Sequence, residues 1–512
     1  MKTRSFSLLL ALLSGVAMGC SVAPVEWWGF AWIALAPLWV LLYRSPLNPL
    51  GLGFAWGVGF HGVALFWLTG IHPMTWMGVP WLASLAIAVA CWMAVTVWGA
   101  AWAAIWAAIV SRYRRNGFTG ILLGVAGWCL LDAIWQLTPL WWSSLAYTQS
   151  PHNLAILHLG QLSGITAVTA SVVAVNGCLA VAILSEKRRQ LAVMAAIATF
   201  SISHLLGFYL YSRPLNDSPN LAFRAGIIQG NVPNEIKLYR EGLIRALEGY
   251  TRGYETLAET GVDAVLTPET ALPDFWEADA CLGDSPLAHL CQAIRRWEVT
   301  AWVGTFQGNL RRYSNSLLTV TGEGEVFSRY DKVKLVPLGE YIPFESVLGS
   351  VVNRLSPLQA QMVPGAKHQV FETPLGRAIV GICYESAFTE HFRRQAARGG
   401  DFFLSAANNA HYAPSMPQQH HAQDVMRAIE LDRWGIRATN TGYSAIVDPH
   451  GRTLWKSGFN VFATHAETVY RRQTRTLYVR WGDWLLWVLL GMAALAVFRD
   501  KSSYKNTNPY KN

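Results

Sequence analysis

Three short segments end in side chains with complementary chemistry. "LTPE" ends in Glu269, "RYDK" in Lys332 and "VGIC" in Cys383. A thiolate attacks a carbonyl carbon, a carboxylate accepts the thiol proton, and an ammonium steadies the oxyanion that forms. Each residue alone has a plainer reading. A Cys closing an apolar run is more often a core side chain. An isolated Glu or Lys more often sits in a surface ion pair. Only the combination points to nucleophilic acyl chemistry, and sequence carries no distances.

The elements that would position these residues alternate in type. Apolar, β-rich runs fall at 223–229, 264–267, 301–305, 316–321, 378–382, 402–405 and 443–447. Helical stretches fall at 235–260, 286–297, 387–398 and 419–433. Strands alternating with helices predict an α/β sheet with helices on its faces. Glu269, Lys332 and Cys383 each follow a strand-like run, where ligand-facing residues usually lie.

The rest of the chain has a different composition. Of 512 residues 52% are hydrophobic, 14% are charged and 24 are Trp, a membrane-protein mixture. Apolar stretches near bilayer length lie at 6–22, 28–43, 50–71, 82–110, 121–135, 165–184, 191–210 and 481–498. The predicted organisation is seven spans over 1–210, a linker at 211–222, an α/β domain at 223–472, a last span at 481–498 and a tail at 499–512. The opening residues, to Cys20, read as an uncleaved first helix rather than a signal segment. Gly53/Gly57 and Gly160/Gly164 have the spacing of close helix packing. Asp132 within the fifth span needs a protein or water partner, and His61 within the third reads as core.

Charge sets the orientation. Lys2 and Arg4, Arg44, Arg112 with Arg114 and Arg115, Lys187 to Arg189, and Arg499 with Lys501, Lys505 and Lys511 fall on alternate connections. The intervening connections at 23–26, 72–80 and 136–160 hold no Lys or Arg. The positive-inside rule then predicts cytoplasmic termini and an α/β domain on the outer side. The short basic clusters also account for the net charge of +9 without any nucleic-acid motif. Cys20, Cys91, Cys129 and Cys178 fall in spans. Cys281 and Cys291 either pair or remain core thiols.

"LTPETALP", "RYDKVKLVPLGEYIP" and "VGICYESAF" resemble the carbon–nitrogen hydrolase (nitrilase) superfamily. With the flanking spans, the resemblance narrows to the apolipoprotein N-acyltransferase family and covers nearly the whole chain. It implies a membrane helical bundle plus an αββα sandwich, with Glu269, Lys332 and Cys383 as catalytic triad. It implies supporting roles for Glu340, Tyr384 and Glu385, and no cofactor or metal. The implied reaction moves an acyl chain from a phospholipid, typically phosphatidylethanolamine, through a Cys thioester. The acceptor is the α-amino group of a diacylglyceryl-cysteine lipoprotein, at the outer face of a bacterial inner membrane.

Two segments depart from that family. "NNAHY", Asn408 to Tyr412, stands where "NDAWF" is common, with Asn409 for an acid and His411 for an aromatic. Leu238 follows Lys237 where a Trp is common. Asn408, Asn409, His411, Tyr412 and Leu238 are thus the expected substrate-pocket positions. Val347, Leu348, Val351, Val352 and Leu355 repeat at helical spacing, as a core helix or one dipping into lipid. Two further readings stay open: a membrane-tethered amidase, and a non-catalytic lipoprotein-binding paralogue, which the intact Glu–Lys–Cys set disfavours.

Overall fold

The structure, a computed structural model, describes residues 2–112, 117–277, 280–283, 285–337, 339–341 and 361–506. The expected helix around Val347 to Leu355 lies outside them. The chain divides into two units. One comprises Met1–Thr69, Ala86–Arg213 and Trp481–Asn512, and the other Gly70–Leu85 and Pro214–Arg480.

The first unit is helical. Among the described residues, Trp81–Arg112, Phe118–Trp135, Ile165–Leu184 and Arg189–Tyr211 are long and apolar enough to cross a membrane. The other expected spans are shorter or broken. The first is Lys2–Gly19, the third Pro49–Ala64 with a 3₁₀ turn Phe66–Ile71, and the eighth lies in Trp484–Asn506. The second, expected as one piece, splits into a 3₁₀ turn Trp28–Trp32 and a helix Ala36–Arg44. Pro37 suits the first turn of that new helix. Buried Asn176 serves the broken backbone: its Oδ1 accepts from Leu35 and Ala36 N–H at 2.9 Å, and its Nδ2 donates to Ala31 O at 2.9 Å. An apolar setting tolerates a break only where such groups are satisfied.

Gly53 and Gly57 press Pro49–Ala64 onto Trp81–Arg112, since a Cβ on Gly57 would lie 2.5 Å from Ala100 Cα. Gly160 opens the short helix Gly160–Ser163, and Gly164, at φ 60°, breaks the chain before the next helix. Asp132 is buried and accepts from Ser144 Oγ at 3.1 Å. His61 is buried against the rings of Phe60 and Trp135.

The second unit is built from two sheets. β1 (Ala222–Gln229), β2 (Ala264–Leu266), β3 (Leu272–Phe275), β4 (Thr300–Asn309), β5 (Arg312–Val320), β6 (Val326–Asp331) and β7 (Gln361–Met362) belong to the first sheet. β8 (Phe371–Thr373), β9 (Gly376–Ile382), β10 (Phe402–Ala407), β11 (Gly435–Thr439), β12 (Ala445–Val447) and β13 (Thr453–Lys456) form the second. β14 (Ala463–Tyr470) returns to the first, so its main order is β14-β1-β2-β4-β5-β6. β1 and β14 run antiparallel, with Ala222 opposite Tyr470 and Gln229 opposite Ala463.

Alternation along the strands sorts side chains between two layers. Ile227, Leu266, Trp302 and Leu317 of the first sheet meet Val380, Leu404, Ile436 and Ile446 of the second in one buried cluster. Their neighbours Ile228, Val265, Ala301 and Leu318 face outward onto helices Arg240–Glu259 and Ala288–Trp297. The expected αββα architecture is present. One helical expectation changes: 235–260 is interrupted, with Asn234–Lys237 and Arg240–Glu259 as separate helices. Cys281 and Cys291 are disulfide-bonded, their Cα atoms 5.0 Å apart.

Candidate active site

Three strand ends supply the expected residues. β2 runs out into Glu269, β6 into Lys332, and β9 into Cys383. Parallel pairing of β9 with β10 brings Cys383 and Asn408 to the same sheet edge. Cys383 itself sits at φ +53°, in the left-handed region where side-chain-bearing residues are strained. The strand reverses there directly into the turn Cys383–Ala387. His420, fully buried on helix Ser415–Leu431, holds that bend with Nε2 2.8 Å from Cys383 O.

The structure brings the three side chains into one buried cluster. Lys332 Nζ donates to Glu269 Oε1 at 2.8 Å and to Glu340 Oε1 at 2.7 Å. Asn315 Nδ2 donates to Glu269 Oε1 at 2.7 Å, and Asn408 N–H donates to Glu269 Oε2 at 2.8 Å. The Cys383 thiol lies close enough to the Glu269 carboxylate for each to shift the other's pKa. Glu340 Oε2 accepts from Val336 N–H at 2.8 Å. Lys332, Glu269 and Cys383 are 1%, 6% and 6% exposed, so their charges interact with little water between them.

This environment assigns protonation states. Burial opposes a charge on Glu269, but Lys332 and then Lys237 outweigh it and hold the carboxyl below its usual range. Burial likewise opposes a charged Lys332, yet Glu269 and Glu340 raise it well above an ordinary lysine. Burial, with Glu269 beside it, pushes the Cys383 thiol up to about 12. The resting set is a neutral thiol, an ionised carboxylate and a fixed ammonium. Such a thiol depends on a neighbouring base to become a nucleophile.

Glu385 ties two of these loops together. Its Oε1 accepts from Val333 N–H at 2.6 Å and Lys334 N–H at 3.0 Å, just past Lys332. Its Oε2 accepts from Ile382 N–H at 2.8 Å, just before Cys383, and from Tyr330 OH at 3.0 Å. Four donors on one buried carboxylate leave no place for an amide NH₂. Glu385→Gln is therefore expected to shift Lys332 relative to Cys383 and lower turnover by roughly 10²-fold. Steady-state turnover assays check this, and an unchanged rate would refute the linkage.

The pocket candidates lie in different settings. Asn408 serves Glu269 through its backbone, while its Oδ1 accepts from Asn440 Nδ2 at 3.2 Å. Asn409 is fully buried, 3.3 Å from His420 Nδ1, so it meets the thiol turn through His420 rather than facing open space. His411 Nδ1 accepts from Asn234 Nδ2 at 2.9 Å, and its ring lies 6.4 Å from that of Trp76. Tyr412 follows it, with N–H donating to Asn409 O at 3.2 Å. Leu238 is exposed. Tyr384 packs its ring edge-on to Phe388 at 5.0 Å.

Sequence reasoning passed over Lys237, Asn315 and His420. Asn315 lies in "YSNS", a buried polar break in an apolar strand, which was a usable signal. Lys237 was visible beside Leu238, and His420 had no motif to mark it.

Comparison with known proteins follows the same division of the chain. Residues 224–463 match the carbon–nitrogen hydrolase family, and residues 14–178 match the apolipoprotein N-acyltransferase N-terminal domain. An apolipoprotein N-acyltransferase from Nostoc sp. strain PCC 7120 is 57% identical over 93% of this chain and 96% of its own. One from Synechocystis sp. strain PCC 6803 is 46% identical over 94% and 98%. Among solved structures, an amidase from Nesterenkonia sp. is similar with TM-score 0.39 and 19% identity, covering 53% of this chain and 97% of its own.

Proposed function

The chain belongs to the apolipoprotein N-acyltransferase family, and we propose that Cys383, Glu269 and Lys332 carry its acyl transfer from membrane lipid to lipoprotein. In the first half, Glu269 takes the Cys383 proton as sulfur attacks the ester carbonyl of a phospholipid. Lys332 and the Tyr384 N–H hold the oxyanion. Collapse forms a thioester, and Glu269 gives its proton to the departing lysophospholipid hydroxyl. In the second half, the α-amino nitrogen of the acceptor's diacylglyceryl-cysteine attacks the thioester. Glu269 takes a proton from that nitrogen and returns it to the Cys383 sulfur. The observation that carries this reading is the buried contact set of thiol, ionised Glu269 and Lys332.

Phosphatidylethanolamine is the proposed donor, and an inner membrane with both termini in the cytoplasm the proposed setting. Two independent features support an outward-facing catalytic domain. One is the alternation of basic connections along the apolar half. The other is the Cys281–Cys291 disulfide, a bond that persists in oxidising compartments.

Mass spectrometry of a lipoprotein N-terminus, before and after depletion of this protein, tests the reaction. The N-linked acyl group is expected to disappear while the diacylglyceryl group stays. An unchanged triacyl N-terminus in cells with no second copy overturns the reading. Release of free fatty acid by water, with no acylated amine, would instead point to the amidase alternative.

A further inference from the structure

One ammonium lies between two carboxylates in this site. Lys332 Nζ contacts Glu269 Oε1 at 2.8 Å and Glu340 Oε1 at 2.7 Å. With both carboxylates ionised, those three groups carry one net negative charge in a buried space. Like-charged carboxylates sharing a site relieve the strain by taking up a proton, and the proton belongs to the pair rather than to one partner. Burial and the neighbouring Glu269 raise the Glu340 carboxyl while Glu269 is held low, so Glu340 is the readier to take that proton; a proton on Glu269 instead would remove the base.

A second cation sits on the other side of Glu269. Lys237 ends the short helix Asn234–Lys237, is 3% exposed, and donates from Nζ to the Glu269 backbone oxygen at 3.1 Å. Its contact is with the carbonyl, so it influences the carboxylate through space. Two ammonium groups and two carboxylates make the buried set neutral while the thiol is protonated. We propose that Lys237 is a positioning residue for acyl transfer, a second buried cation whose charge keeps Glu269 ionised and available as the base. This rests on the catalytic reading given above.

The surroundings agree with that balance. Glu269 is faced by Lys332, Lys237, Glu340, Cys383, His411 and Tyr412, and by the donors Asn315 Nδ2 and Asn408 N–H. Lys237 is also near His411, which Glu235 of its own helix faces too. After burial, which opposes its charge, Lys237 is held up by Glu269 and Cys383 but still drawn down to about 8. It is therefore mostly charged at neutral pH. Taking the positive charge away removes an interaction that lowers the Glu269 pKa. The pH at which acylation fails on acidification must then rise.

The test is the pH dependence of single-turnover acyl-enzyme formation from labelled phosphatidylethanolamine, using the full chain in detergent. Lys237→Met and Lys237→Gln are expected to move the acid limb upward by about one pH unit or more. Lys237→Arg is expected to keep the wild-type limb. Gln can still donate to the Glu269 carbonyl, so a purely structural role would be rescued by Gln and the limb would stay in place. An unmoved limb in folded Lys237→Gln overturns the proposal, whether or not Lys237→Met folds. A limb that moves equally in Lys237→Arg also overturns it, because charge would not be the cause. If wild type forms no acyl-enzyme, the catalytic reading itself fails and the proposal falls with it. Acylated wild type beside variants with unmoved limbs sinks only the role of Lys237.

Discussion

Cys383→Ala is expected to form no hydroxylamine-labile acyl-enzyme, and Glu269→Gln to form it about 10³- to 10⁴-fold more slowly than wild type. The two losses have different causes. Ala removes the only atom able to bond to the acyl carbon. Gln leaves the thiol in place but takes away its base. With the Cys383 thiol pushed up to about 12, unassisted thiolate at neutral pH is roughly one part in 10⁵. Gln also brings an NH₂ into a site of donors. Both oxygens of Glu269 are acceptors, from Lys332 and Asn315 on one side and from Asn408 on the other. Single-turnover labelling with a radioactive acyl donor measures both effects. A Gln variant acylated at the wild-type rate would remove Glu269 from the mechanism.

The second large effect is on stability. Arg437 Nη1 donates to Asp424 Oδ2 at 2.5 Å, and both side chains are 1% exposed. Arg437 also donates to Tyr443 O at 3.0 Å and to Ser405 Oγ at 3.1 Å, joining strands β10 and β11 to the helix behind the thiol turn. Burial alone would raise the Asp424 pKa, but Arg437 and then its other neighbours hold the carboxyl below its usual range. Arg437→Met strands that carboxylate and is expected to cost ~3–5 kcal/mol. Thermal unfolding of the full chain in detergent reads the loss. Asp424→Asn added to Arg437→Met should recover part of it, because the stranded charge is then gone. Equal melting of wild type and Arg437→Met would show that the pair carries no such weight.

Much of the architecture was legible because short apolar, β-rich runs and strand-end chemistry are local signals. The runs containing "IIQ", "AVL" and "AIVGI" announced strands, and "PE", "DK" and "CYE" announced what their ends would present. Helix continuity was less legible. Residues 28–43 have the composition of a span, yet the chain can break there because Asn176, 140 and 141 positions away, satisfies Ala36 and Leu35. No local pattern encodes a partner at that distance. The same reason hid His420, which meets Cys383 through its backbone oxygen. Asn409 is a pocket candidate in sequence because it replaces the acid of the family's "NDAWF". Strand alternation no longer applies past the end of β10, so nothing in sequence showed that its side chain points inward.

The pairing of β1 with β14 has a consequence for engineering. Ala222 opens the first strand of the second unit and Tyr470 closes its last, and the two face each other across one ladder. The fold therefore begins and ends at neighbouring points, the condition under which a domain can be inserted into a host chain without prising the host apart. The same geometry makes the junctions near Ala222 and Tyr470 natural sites for grafting a related sandwich in its place.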